Sequence, residues 1–147
     1  MQKGKKVAAG SELTYCNCLA LRQAARQVSQ LYDRHLARVG LKTSQYSILA
    51  RLNRRGPLSI NELAALMVMD RTTTGRAVLP LAREKLVAIE PGEDGRTRIV
   101  RLTPMGEQRF KAALAHWREA QREFEASYGV AEAAKLRATL AGVVAKA

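Results

Sequence analysis

The chain has 147 residues, 47% of them hydrophobic, and its 25 Lys and Arg against 13 Asp and Glu give a formal charge of +12. That length suits one domain with a helical extension, and no run of about 18 apolar residues is present to cross a membrane. The basic excess favours a polyanionic partner, nucleic acid before an anionic membrane, and two cysteines are too few for a disulfide framework and suit a reducing compartment.

In chain order, the opening MQKGKKVAAG lacks the apolar centre of a signal peptide. Residues 1–11 therefore read as a disordered basic arm of a cytoplasmic protein. From Glu12 to Val39, Leu21, Ala24, Ala25, Val28, Leu31 and Tyr32 recur at helical spacing, with Arg22, Arg26 and Arg34 between them. Gly40 is the expected terminator. Cys16 and Cys18, two positions apart on this helix, point about 200° away from each other, so they cannot join without unwinding it. Thr43 or Ser44 is expected to cap a second helix carrying Tyr46, Ile48, Leu49 and Leu52, which stops at Gly56-Pro57. Ser59 and Glu62 form an S-x-x-E capping box for a third, with Ile60, Leu63, Ala64 and Met67 on one face.

Asp70 is the N-cap of a fourth helix. Its apolar groups are Val78, Leu79, Leu81, Ala82 and Leu86, and its opening turns show Arg71, Thr72, Thr73 and Arg76. A short helix, a brief break and a second helix make the helix-turn-helix pattern. Pro80 removes one backbone hydrogen bond, and because the apolar period resumes at Leu81 a bend is expected there, not an end. Val87 to Ile89, then Thr97, Ile99 and Val100, read as two strands across the turn Pro91-Gly92-Glu93-Asp94-Gly95. A helix with a basic start, followed by a ribbon bearing Arg96 and Arg98, has the layout of a winged helix-turn-helix.

Thr103, with Pro104 at the first helical position, opens a fifth helix through Phe110, Ala113, Leu114, Trp117, Gln121, Phe124 and Tyr128 to Gly129. Ala133, Leu136, Leu140, Val143 and Val144 mark a sixth. Glu119, Glu123 and Glu125 alternate with Arg118 and Arg122, as solvated surface pairs do. The expected fold class is mainly α with a small β-hairpin (α+β). Its DNA-binding winged helix-turn-helix occupies residues 41–103, and 12–40 and 104–147 form a helical dimerisation region. A winged helix is complete in roughly 60–90 residues. The apolar stripes of the first, fifth and sixth helices exceed what so small a core covers, and are expected to pack against a second chain. The other arrangement is an elongated monomer with a helical layer over its own core.

On the fourth helix the face open to base edges is Thr72, Thr73 and Arg76, since Thr74, Val78 and Leu81 fall toward the core. Arg76 suits guanine O6 and N7, and the threonines suit thymine methyls or phosphates; simple capping is their other use. Arg96 at the ribbon tip suits a narrow A·T-rich minor groove, and Asp94 is expected to pair with a nearby arginine and hold the wing's shape. Ser59 and Asn61 begin the supporting helix, where N–H groups and the helix dipole hold a phosphate. Arg71 and Arg98 complete the expected DNA-binding set; Arg54, Arg55, Arg98 and Arg101 read as phosphate contacts or solvated charge. No G-x-S-x-G, Gly-rich phosphate loop or H-E-x-x-H is present, so no enzyme is expected. His35 and His116 have no metal-ligand spacing, and neither a metal nor a cofactor is expected.

Asp94-Gly95-Arg96 followed by Leu102-Thr103-x-x-Gly106 resembles the D-x-R…L-T-x-x-G pattern of the MarR family (multiple antibiotic resistance regulator type) of bacterial dimeric transcription factors. Asp70-Arg71-Thr72-Thr73 through Arg76, Pro80-Leu81 and Leu86-Val87 is similar to that family's recognition helix, and the likeness extends roughly from Leu13 to Val144. The resemblance implies a homodimer with interleaved outer helices that represses from a pseudo-palindromic operator in double-stranded DNA, with half-sites about 34–36 Å apart. It further implies release by a small aromatic or carboxylate effector between the first, second and fifth helices, where Arg22, Arg26, Tyr32, His35 and Tyr46 are the candidate contacts. Cys18 falls where the family's hydroperoxide sensors carry their thiol and Tyr32 on one tyrosine that holds it, while Arg22 replaces the second. An arginine lowers a thiol pKa, so redox sensing through Cys18 is one alternative function and non-specific architectural DNA binding another. A cysteine at the dimer seam is also a small hydrophobe.

Overall fold

The computed structural model describes residues 15–147; the expected basic arm and the expected helix start at Glu12 lie outside the described residues. Helix α1 spans Asn17–Leu36 and passes into a 3-10 turn, Ala37–Val39, which Gly40 closes in the left-handed conformation. Cys16 is the N-cap of α1, extended at φ −76 and ψ 107, and its Sγ accepts from the Leu19 N–H. It stands outside the helix, so the angular separation expected of Cys16 and Cys18 as two helical positions does not apply.

Helix α2 spans Thr43–Arg55. Thr43 and Ser44 are already helical, and the free N–H groups of its first turn are met by longer side chains. Gln45 Oε1 accepts from the Lys42 N–H at 3.0 Å, and the Asp33 carboxylate accepts from the Thr43 N–H at 2.7 Å. Strand β1 is Leu58–Ser59, α3 is Ile60–Met67, α4 is Arg71–Arg83, β2 is Val87–Pro91 and β3 is Arg98–Leu102. Two long helices follow, α5 at Pro104–Tyr128 and α6 at Val130–Lys146. Helix α4 runs through Pro80 to Arg83.

The sheet has three strands rather than the expected two, in the antiparallel order β1-β3-β2. Val87 to Pro91 pair with Leu102 to Arg98, and Leu58 and Ser59 pair with Val100 and Ile99 on the other edge of β3. Two residues are too few to show an alternating pattern, and β1 exists because β3 offers it an edge. Leu36, Leu41, Ile48, Leu49, Leu52, Leu63, Val78, Leu81, Leu86 and Val100 form the core. Tyr46 stacks on Phe110 and Trp117 at 5.5 and 6.0 Å, which fastens α2 to α5.

The wing is closed at its base. Thr103 N–H donates to the Leu86 carbonyl at 3.1 Å, and Thr103 Oγ1 donates to the Lys85 carbonyl at 2.6 Å. The same hydroxyl accepts from the Gly106 N–H and so caps α5. At Gly106 an added Cβ would lie 1.9 Å from the Leu86 carbonyl oxygen, so only glycine lets α5 approach that peptide. The L-T-x-x-G spacing is the spacing of this joint.

In the outer layer α1 packs along α5, and α6 turns back at Gly129. The acids of α5 are not the local surface pairs expected from the sequence. Glu123 meets His35 Nε2 at 2.5 Å and Arg34 at 3.1 Å, Glu119 meets Arg38 at 3.3 Å, and Glu125 faces Arg137 of α6. They tie helices together because the facing helix brings cations within reach. Between α1, α5 and α6 lies an apolar groove of about 590 Å³, lined by Leu21, Ala25, Val28, Phe124, Leu136, Leu140 and Val143 among others. Among the described residues no helix is long and apolar enough to cross a membrane.

Candidate nucleic-acid interface

The roll of α4 is fixed from both sides. Thr74 is 1% exposed and donates its hydroxyl to the Asp70 carbonyl at 2.8 Å, and Val78 and Leu81 lie below it in the core. That leaves Arg71, Thr72 and Arg76 on the open face. Asp70 accepts from both the N–H and the hydroxyl of Thr73 at 2.7 Å. These bonds, the N–H first, hold the Asp70 carboxyl below the usual carboxylate range. The Thr73 hydroxyl is thus engaged in the cap, while Thr72 stands clear of it. Val68 closes the turn before α4 in the left-handed region at φ 53, with its N–H bonded back to α3.

The start of α3 is less open to an anion than its N-terminal position suggests. Ser59 Oγ accepts from the Glu62 N–H at 3.1 Å, and Glu62 Oε2 accepts from the Ser59 N–H at 2.8 Å. The expected capping box therefore places a carboxylate where a phosphate was expected. Asn61 is exposed beside it.

At the wing tip Gly95 takes φ 71 and the Gly92 N–H donates to the Thr97 carbonyl at 2.6 Å. Asp94 does not form the expected ion pair with an arginine. Its carboxylate accepts from the Thr97 hydroxyl at 2.6 Å, the Thr97 N–H at 2.8 Å and the Arg96 N–H at 2.9 Å. An Asx-type turn satisfies this acid locally, and the Thr97 hydroxyl leads the bonds that lower its pKa. Asp94 holds the wing's shape through the backbone and leaves the Arg96 guanidinium free. Arg71, Arg76, Arg96 and Arg98 are exposed and form no ion pair among the described residues, whereas Arg101 is paired with Glu90 at 2.5 Å. Asn61, Arg71, Arg96 and Arg98 converge, with Ile60 and Thr97, on one concavity of about 170 Å³.

The candidate effector residues do not gather in one cavity. Tyr46 is buried in its aromatic stack, His35 is held by Glu123, and Arg22 and Arg26 are exposed on α1. Tyr32 lines the apolar groove and donates its hydroxyl to Gln121; burial pushes its pKa up. Cys16 and Cys18 are free and exposed. Among the described residues no group of three or more His, Cys, Asp or Glu is placed to hold a metal ion.

Residues 39–97 match the family described as MarR family. Along most of its length the chain is similar to the M. tuberculosis transcriptional regulator MosR, in a crystal structure of its complex with DNA. The two are 35% identical, with 87% of this chain and 92% of that one covered at a TM-score of 0.80. The chain belongs to the MarR family. Its MarR fold is also similar to that of a probable transcriptional regulator from Pseudomonas aeruginosa, 32% identical over 89% of this chain and 98% of that one, TM-score 0.79. A further relative is the uncharacterized HTH-type transcriptional regulator YwoH of Bacillus subtilis. It is 29% identical over 91 residues, which span 62% of this chain and 66% of that protein. These are transcriptional regulators rather than enzymes, and the winged helix that defines the MarR fold is the part of this chain with the open basic face.

That Arg71 of α4 and Arg98 of β3 share a concavity with Asn61 of α3 is not legible from residue types, because the three lie on separate elements.

Proposed function

We propose that this MarR-family chain is a cytoplasmic transcriptional repressor that binds a pseudo-palindromic operator in double-stranded DNA as a homodimer and is released by a small aromatic or carboxylate effector. The observation that carries the DNA reading is the display of Arg71, Thr72 and Arg76 beside an Arg96-tipped ribbon, with no described carboxylate paired to these guanidiniums. Arg76 reads guanine in the major groove, Arg96 enters an A·T-rich minor groove, and Asn61, Arg71 and Arg98 hold the backbone.

The dimer is supported by the groove between α1, α5 and α6. Leu140 is 38%, Val143 46% and Val144 53% exposed, an apolar lining that a second copy of the same helices covers. The effector part is supported by Tyr32 and Gln121, a polar pair at the wall of that groove, if the second copy leaves space beside them for an aromatic acid. Footprinting on the DNA flanking the coding region is the deciding experiment. One protected inverted repeat with half-sites a helical turn apart is expected; weak protection spread evenly along the duplex would mean an architectural DNA binder instead. Aromatic acids are expected to raise the melting temperature and release that operator, and a series with neither effect removes the effector.

A further inference from the structure

Near the C-terminal end of α1 one histidine stands between two acids of α5. His35 Nε2 meets Glu123 Oε2 at 2.5 Å, and on the other side of the same ring Nδ1 lies 3.5 Å from Glu119 Oε2. His116, three residues before Glu119 on α5, puts its own Nδ1 3.8 Å from that same oxygen. Both Nδ1 atoms are shielded from water and neither has a hydrogen-bond partner. The bond from His35, ahead of the charges of His35 and Arg34, holds the Glu123 carboxyl below the usual carboxylate range. An ionised carboxylate only accepts, so a neutral His35 carries its proton on Nε2, toward Glu123. Its Nδ1 is then a lone pair turned toward a second carboxylate. A shielded polar atom goes unpaired, and two electron-rich atoms face each other. A proton on Nδ1 reverses both.

We propose that His35 is a proton-operated latch between α1 and α5: charged, it binds Glu119 and Glu123 at once, and neutral, it keeps Glu123 and releases Glu119. The other charges around it are constant or engaged. Arg34 of α1 pairs with Glu123 at 3.1 Å and Arg38 of the 3-10 turn with Glu119 at 3.3 Å, and guanidiniums do not lose their proton. Asp33 is bonded to the Thr43 N–H, Arg109 to the Val39 carbonyl and Glu84, and Glu125 faces Arg137 of α6. The charged groups of α2 and α6 form no ion pair with either imidazole among the described residues. His116 shares the Glu119 oxygen but has no acid paired with its Nε2, so it is the lesser site. Imidazole is then the group of this cluster whose charge changes between about pH 5 and pH 8. Because the charged ring is favoured in the folded chain, the stability it adds is full in mild acid and lost as the pH rises. Helix α1 leads through Gly40 into α2, and α5 begins at the base of the wing. The latch therefore governs how firmly the two helices that enter the winged helix are held to each other.

The test compares thermal unfolding of the full chain at about pH 8 and about pH 5.5, on either side of the ordinary histidine range. On acidification wild type is expected to gain about 2–4 °C relative to His35→Gln. Glutamine keeps an N–H donor for Glu123 but takes up no proton. Glu119→Gln, which removes the charge facing Nδ1, is expected to lose the same acid-dependent gain, and His116→Gln to retain the larger part of it. Ring-nitrogen NMR is expected to find neutral His35 as the Nε2–H tautomer and to show a protected Nδ1–H in mild acid. An equal acid response in wild type and His35→Gln overturns the proposal. So does a response lost in His116→Gln alone, or a neutral His35 with its proton on Nδ1. Should His35→Gln fail to fold, Glu119→Gln decides: a full wild-type response in that variant overturns the latch.

Discussion

The winged helix and the outer helical layer use the same kinds of side chain to opposite ends. From α2 to β3 the leucines close on one another: Leu49, Leu63, Leu81 and Leu86 are fully buried within a single chain. In α6 the apolar groups are just as frequent, yet only Ala133 is buried and Leu140, Val143 and Val144 face outward. The difference lies in geometry rather than composition. Short helices crossing a small sheet surround their own core. A long hairpin such as α5–α6 presents a stripe that only another elongated surface covers. The first region is covered by its own contacts, and the second leaves its apolar stripe uncovered within the chain.

Several substitutions break or sharpen that contrast. The largest effect is expected from Leu49→Ala, which opens a cavity in the self-contained core and costs about 2–5 kcal/mol in urea unfolding, by an amount independent of protein concentration. Gly106→Ala comes next. Its methyl collides with the Leu86 carbonyl at the joint between the two regions, and overpacking of this kind costs about 3 kcal/mol; an unchanged melt would show that the joint yields. Leu140→Glu places a charge in the groove and is expected to weaken self-association by about 2–3 kcal/mol. Sedimentation would then report single subunits while the resonances of the winged helix stay in place. Arg96→Ala leaves both regions folded and weakens operator binding by about 1–3 kcal/mol if it reads bases, whereas a backbone contact would appear mainly as a salt slope lower by about one. The smallest effect is that of acid. Asp70 and Asp94 are held below their ordinary pKa by Thr73 and Thr97. Their stabilisation is therefore present above the unfolded-state value, and as pH drops below about 4 it is lost through the folded-state value. Amide exchange at Thr73 and Thr97 is expected to quicken before the core opens, and simultaneous loss would refute the local origin.

What the sequence disclosed and what it concealed follow the range of the interactions. Ser59 with Glu62, Asp70 with Thr73 and Thr103 with Gly106 are pairs three residues apart, and each takes the place its spacing implies. The roll of α4 was legible because Thr74, Val78 and Leu81 repeat on a helical period. Strand β1 was not, since Leu58 and Ser59 acquire their structure from Ile99 and Val100 some forty residues on. Nor were the partners of Glu119 and Glu123, which sit across an interhelical contact from Arg38, Arg34 and His35, 81 to 89 residues away. Asp94 shows a third kind of limit. Its role in the wing was legible, but whether its charge answered a guanidinium or its own turn depended on backbone angles that residue types do not specify.

Leu86 and Thr103 fasten the two ends of the ribbon to each other and to the first turn of α5. The ribbon is therefore hafted to that helix like a blade to a handle. A twist of α5, whatever applies it, swings the Arg96 tip through an arc instead of being absorbed at the base.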